Sequence, residues 1–113
     1  MSREWRFYLR DMRGFCDRIL SVSASLTRTA FNEHDLVYDG IVRNIELLGE
    51  AARQIPEEIR ILAPDVEWSA IIALRNILVH AYFGVDDDIL WDIVRNKIAP
   101  LRASLEHLEK HLA

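Results

Sequence analysis

At 113 residues the chain has length for one modest core, burying roughly two-thirds of its unfolded surface. Half of it is hydrophobic, 28% is charged and the formal charge is −4, an ordinary composition for a soluble globular domain with no bulk electrostatic signal for nucleic acid. A lone Cys16 excludes an internal disulfide or a cysteine-built metal cluster. Charges interrupt the N-terminal segment at Arg6, Arg10 and Asp11, and the longest uncharged apolar stretch, Trp68 to Leu74, is far too short to cross a bilayer. The expectation is therefore one cytoplasmic domain over residues 1–113, with no membrane association.

The first element reads as a helix from about residue 3 to 29. Its stripe positions Trp5, Leu9, Met12, Phe15/Cys16, Ile19, Val22/Ser23 and Leu26 recur at steps of three and four, and Ser2 is available as a cap. Six arginines fall within residues 1–30. Arginine outnumbers lysine twelve to two, a bias that suits phosphate or carboxylate contacts and that genome composition can also produce.

Asn32 or Asp35 can cap the second long helix. Its seam is Val37, Ile41, Ile45, Leu48, Ala52 and Ile55, and it stops at Pro56. Asn44 interrupts that seam as a polar residue, and Gly49, Ala51 and Ala52 are small enough for another helix to approach closely. A short helix follows in "PEEIRILA", with Pro56 at its first position, and "APDVEWS" breaks it. The next helix spans about Trp68 to Ala81. "YFGVD" is a turn in which Gly84 can supply a positive φ. Asp86 then caps the last helix, with Asp87 and Asp88 in its first turn, where the helix dipole favours acids. That helix carries the stripe Ile89/Leu90, Ile93/Val94, Ile98, Leu101, Leu105, Leu108 and Leu112, and Pro100 should kink it. No segment alternates as a strand does. An all-α fold follows, with four main helices in antiparallel arrangement plus a short extra helix. Trp5, Phe7, Tyr8, Trp68 and Trp91 are expected mainly in the core, with some free for a subunit interface.

Potentially catalytic side chains crowd together only in "RNILVHAYFGVD". Arg75 and His80 lie about 140° apart on an ideal helix, whereas Tyr82 returns to within about 20° of Arg75. Arg75 and His80 therefore do not share a face of a regular helix. They can meet if the last turn loosens, or across a two-fold axis that lets each subunit supply part of a site. The structural alternative is a histidine interacting with a helix C-terminal dipole and an arginine paired with an acid of a neighbouring helix. Chemically, histidine can act as general base near neutral pH, and arginine can hold a phosphate and offset charge growing on it. The pair suits RNA cleavage: His80 takes the 2′-hydroxyl proton, Arg75 stabilises the phosphorane, and Asn76 orients the phosphate or the imidazole. His107 and His111, four apart, are expected on a solvated tail rather than on a metal. His34 is expected as a turn or cap residue.

"RNILVHAY" resembles the Arg-x4-His-x-Tyr signature of the HEPN domain, in particular the HepT-like toxins. "YDGIVRNIELLGEAARQIP", with Asp39, Arg43, Gly49, Glu50 and Ala51, is similar to that family's second helix. "EWSAIIALRNILVHAYFGVDDDILWDIV" is similar to its Trp-led helix, motif and acidic helix start. The resemblance implies a homodimeric HEPN-type helical bundle and a metal-independent endoribonuclease toxin without a cofactor. Arg75 and His80 of both subunits would line its cleft. It also implies a minimal nucleotidyltransferase antitoxin as partner, which transfers AMP to Tyr82. Arg43, Glu46 and Glu50, at spacings of three and four on one side of the second helix, would brace Arg75 or His80; the alternative is a solvated, salt-bridged face. The competing function is a catalytically inactive HEPN module that binds a nucleotide or the partner protein.

Overall fold

A computed structural model describes residues 4–80 and 84–112. Its elements in chain order are α1 (Trp5–Ser23), α2 (Arg28–Phe31), α3 (Leu36–Ala52), α4 (Glu57–Arg60), α5 (Trp68–His80), α6 (Asp87–Asp92), a π-helical turn (Ile93–Lys97) and α7 (Ile98–Leu112). Among the described residues the fold is all-α, with no strand. None of these helices is long and apolar enough to cross a membrane.

Local chemistry explains where the helices stop. The first helix ends at Ser23 rather than near residue 29. The serine- and threonine-rich run "SVSASLT" offers the backbone competing hydrogen bonds, and Thr27 turns extended and caps the one-turn α2 by accepting from the Ala30 amide at 3.1 Å. Of the two candidate caps for α3, Asp35 fills the role: its carboxylate accepts from the amides of Val37 and Tyr38. α3 closes at Ala52, short of Pro56, because the residue before a proline is steered out of the helical region. Pro56 itself is extended and stands at the N-cap of α4, not at its first helical position. Arg60 then folds back, donating to the carbonyls of Ile55 (2.9 Å) and Ala52 (3.2 Å), the latter shared with the Ile55 amide. Asp86 caps α6 as its sequence position implies. Pro100 lies in the first turn of α7. It offers no amide to the Asn96 carbonyl, and the irregularity falls just ahead of it as the π-turn. The expected turn at "YFGVD" falls partly outside the described residues; among those described, the left-handed residue is His34, at φ 53°.

α1 packs on α3 and on α7, and α3 packs on α5. One core joins Leu9, Met12, Cys16 and Ile19 of α1 with Ile41, Ile45 and Leu48 of α3 and with Ile98, Leu105 and Leu108 of α7. Val37, expected in the seam, is exposed, while Tyr38 and Val42 are buried in its place. Of the large aromatics, Trp68 is buried and anchored, its indole donating to the carbonyls of Arg60 and Ala63 at 3.2 Å. Trp5, Tyr8 and Trp91 pack partly buried against the core, and Phe7 is exposed. Asn44 donates to the Gly40 carbonyl at 2.8 Å, and its buried Oδ1 has no hydrogen-bond partner among the described residues.

Candidate functional site

The site is built where α3 crosses α5. Gly49 makes the crossing possible: a Cβ there would overlap the Arg75 Cβ and stand 3.0 Å from the Ile71 carbonyl oxygen. Absence of a side chain on α3 thus brings the two backbones together and lays the Arg75 stem along α3. One residue further, Glu50 receives the guanidinium, with Arg75 Nη2 2.9 Å from Glu50 Oε2. Arg53 reaches the same oxygen at 3.3 Å. On its other side, Arg75 Nη1 donates to Asn76 Oδ1 at 2.9 Å. Arg53, Glu50, Arg75 and Asn76 form a continuous polar chain from one helix to the next.

His80 stands apart from that chain. It is the last residue of α5 and exposed, and its side chain has no hydrogen bond or ion pair to another described residue. Asn76 and His80 are four apart and share the outward face of α5. That face continues through Ser69, Ala70, Ala73 and Ile77, all exposed. Arg75 points instead toward α3. The angular argument from the sequence therefore holds within the protomer: the helix separates the two groups, and Asn76 is the residue that touches Arg75 while facing the side of His80.

Of the expected bracing residues, only Glu50 meets Arg75. Arg43 and Glu46 pair with each other at 3.2 Å and touch neither Arg75 nor His80. Arg53 escaped the sequence reading, although its spacing of three from Glu50 signals the pair. Tyr82 lies outside the described residues. Cys16 is no nucleophile: burial, then the charge of Asp17, push its thiol up to about 12, and Arg102 only partly opposes them. His107 and His111 are exposed, and among the described residues no group of three or more His, Cys, Asp or Glu is placed to hold a metal ion. An apolar groove of about 430 Å³ opens beside α5, lined by Ile45, Leu48, Ile71, Leu74, Ile93 and Leu101 among others. It includes neither Arg75 nor His80.

Residues 12–108 match the family described as ribonuclease HepT-like. The chain belongs to the HepT-like ribonuclease family. Two relatives, both named as candidate ribonucleases, are similar along nearly their whole length. A HepT of Thermococcus cleftensis is 31% identical over 110 residues, covering 97% of this chain and 100% of the relative. RNase MJ1380 of Methanocaldococcus jannaschii is 29% identical over 105 residues, covering 93% and 96%. No solved structure matches the chain.

Proposed function

We propose that this chain is a metal-independent endoribonuclease toxin acting as a homodimer. The observation that carries the reading is the division of labour on α5: Arg75 is anchored on α3 through Glu50, while Asn76 and His80 look outward on the opposite side. A second copy laid against that outward face would bring its own arginine and histidine to the same cleft. α5 supports this, because its apolar residues run all round the helix yet only Trp68 and Leu78 are buried. Ala70, Ala73 and Ile77 give a partner helix small and apolar ground. An antiparallel four-helix HEPN bundle is the arrangement this reading assigns to each protomer.

In the cleft, His80 takes the proton of the RNA 2′-hydroxyl, and the resulting oxyanion attacks the adjacent phosphorus. Arg75 offsets the charge on the phosphorane. The P–O5′ bond breaks, the 5′-oxygen leaves with a proton, and the upstream fragment ends in a 2′,3′-cyclic phosphate. A minimal nucleotidyltransferase antitoxin neutralises the toxin by transferring AMP from ATP to the Tyr82 hydroxyl, releasing pyrophosphate. The adduct adds bulk and negative charge where the RNA backbone must enter.

Purified protein incubated with single-stranded RNA and EDTA is expected to give fragments ending in cyclic phosphate. His80→Ala should cleave about 10²- to 10⁴-fold more slowly; equal cleavage by parent and variant would remove the catalytic assignment. The second reading, an inactive module binding a nucleotide or the partner protein, draws on the ion pair that already engages the Arg75 guanidinium. Parent protein that binds RNA or nucleotide without cutting RNA would select it.

A further inference from the structure

A second polar cluster lies at the start of α3. The Tyr38 hydroxyl donates to Asp87 Oδ1 at 3.1 Å, and His34 Nε2 lies 2.5 Å from Asp87 Oδ2. The His34 ring stacks on Tyr38, with centroids 4.0 Å apart and planes within 13°. Beside them, Arg28 pairs with Asp88. Phe31 packs beneath, against Tyr38 at 4.9 Å and Trp91 at 5.3 Å. Both oxygens of one carboxylate are thus taken by two residues some fifty positions earlier in the chain.

Helix capping does not explain this arrangement. Asp86 is the cap of α6, and Asp88 already puts a second acid in its first turn. Asp87 would serve the dipole equally well facing water. His34 itself takes a left-handed backbone conformation just past the end of α2, where its amide donates to the Phe31 carbonyl at 3.3 Å.

Position gives the cluster a role. Gly49 meets Arg75, and eleven residues earlier on α3, Tyr38 meets Asp87. α5 therefore runs back toward the start of α3. At 1.5 Å per residue, His80 lies about 7.5 Å beyond Arg75, and Tyr38 about 16.5 Å from Gly49. The cluster stands roughly 9 Å past the level of His80 along α3, where the chain leaving His80 re-enters the bundle as α6.

We propose that His34, Tyr38 and Asp87 form a positioning clasp that fixes the start of α6 on the start of α3 and thereby sets the placement of His80. The kinetic consequence rests on the ribonuclease reading; the structural consequence does not. In the full chain, His34→Ala and Tyr38→Phe are expected to speed amide hydrogen exchange at residues 78–80 and 84–90. They should lower kcat for RNA cleavage about tenfold with KM within twofold of the parent, because a small displacement of a catalytic group acts on the chemical step. His34→Gln, whose amide nitrogen stands near the place of Nε2 and can donate to Asp87, should recover part of the loss. Arg28→Gln removes the neighbouring ion pair and should leave kcat unchanged. Parent-level exchange at 78–80 and 84–90 in both His34→Ala and Tyr38→Phe would overturn the clasp, as would a kcat loss in Arg28→Gln equal to that in His34→Ala. A parent that cuts no RNA would remove the ribonuclease reading, and the exchange measurement would still decide the clasp.

Discussion

α1 and α5 are both rich in apolar residues, yet the protomer treats them differently. α1 is amphipathic and buries Leu9, Met12, Cys16, Ile19 and Ser23 along one stripe, its other faces carrying arginine and aspartate. α5 is apolar nearly all round and buries only Trp68 and Leu78. A helix that finishes its packing inside one protomer is explained by that protomer; one that leaves Ala70, Ala73 and Ile77 in water is explained by what approaches it. The candidate chemistry sits on the second kind of helix, with Arg75 on its packed side and His80 on its open one.

The contrast breaks most sharply under truncation of α1. Ile19→Ala, at a site with 0% exposure, should cost about 2–5 kcal/mol in urea denaturation, through lost burial and the cavity left behind. Ile77→Ala, at 46% exposure, should cost under about 0.5 kcal/mol in the isolated protomer. A comparable loss at Ile77 under monomeric conditions would show that α5 packs more completely than its exposure implies. Ile77→Glu should lower the mass measured by light scattering if that face meets a second copy, and leave it unchanged if it does not.

Gly49→Ala tests a place where α5 is tightly held on α3. The new methyl group meets the Arg75 Cβ and the Ile71 carbonyl, so one backbone must move. The expected cost is about 1–3 kcal/mol, with RNA cleavage falling further than stability because the Arg75 stem moves too. Cys16 probes the α1 side through pH. Its folded thiol titrates near 12, above the ordinary thiol range. From about pH 9 upward the unfolded chain therefore releases a proton that the folded chain keeps, and stability falls by roughly 1 kcal/mol per pH unit. Cys16→Ala should flatten that dependence between pH 8 and 11. Glu50→Gln should be mild in stability, below about 1 kcal/mol, since the pair is partly exposed. Its signature is kinetic: Arg75 loses its anchor and cleavage slows.

Much of the fold was legible because apolar spacing and capping chemistry are local. Asp35 and Asp86 cap where their positions say, and the stripes of α1, α3 and α7 point inward over most of their length. The departures came from residues whose effect depends on neighbours. Ser23 ends α1 because Thr27 captures a new amide, and Pro100 yields a π-turn because the helix absorbs its missing donor one turn earlier. At the site, the separation of Arg75 from His80 around α5 was readable from helix pitch, and the small residues of α3 announced a close crossing.

Helical periodicity, the Arg-x4-His-x-Tyr spacing and the acid-capped last helix belong to the sequence itself, since each follows from pitch and side-chain chemistry over a few residues. Tertiary structure alone decided that Glu50, rather than Arg43 or Glu46, would receive Arg75, and that His34 and Tyr38 would meet Asp87. Such pairings depend on the depth at which two helices cross, and a single missing Cβ at Gly49 sets that depth for α3 and α5.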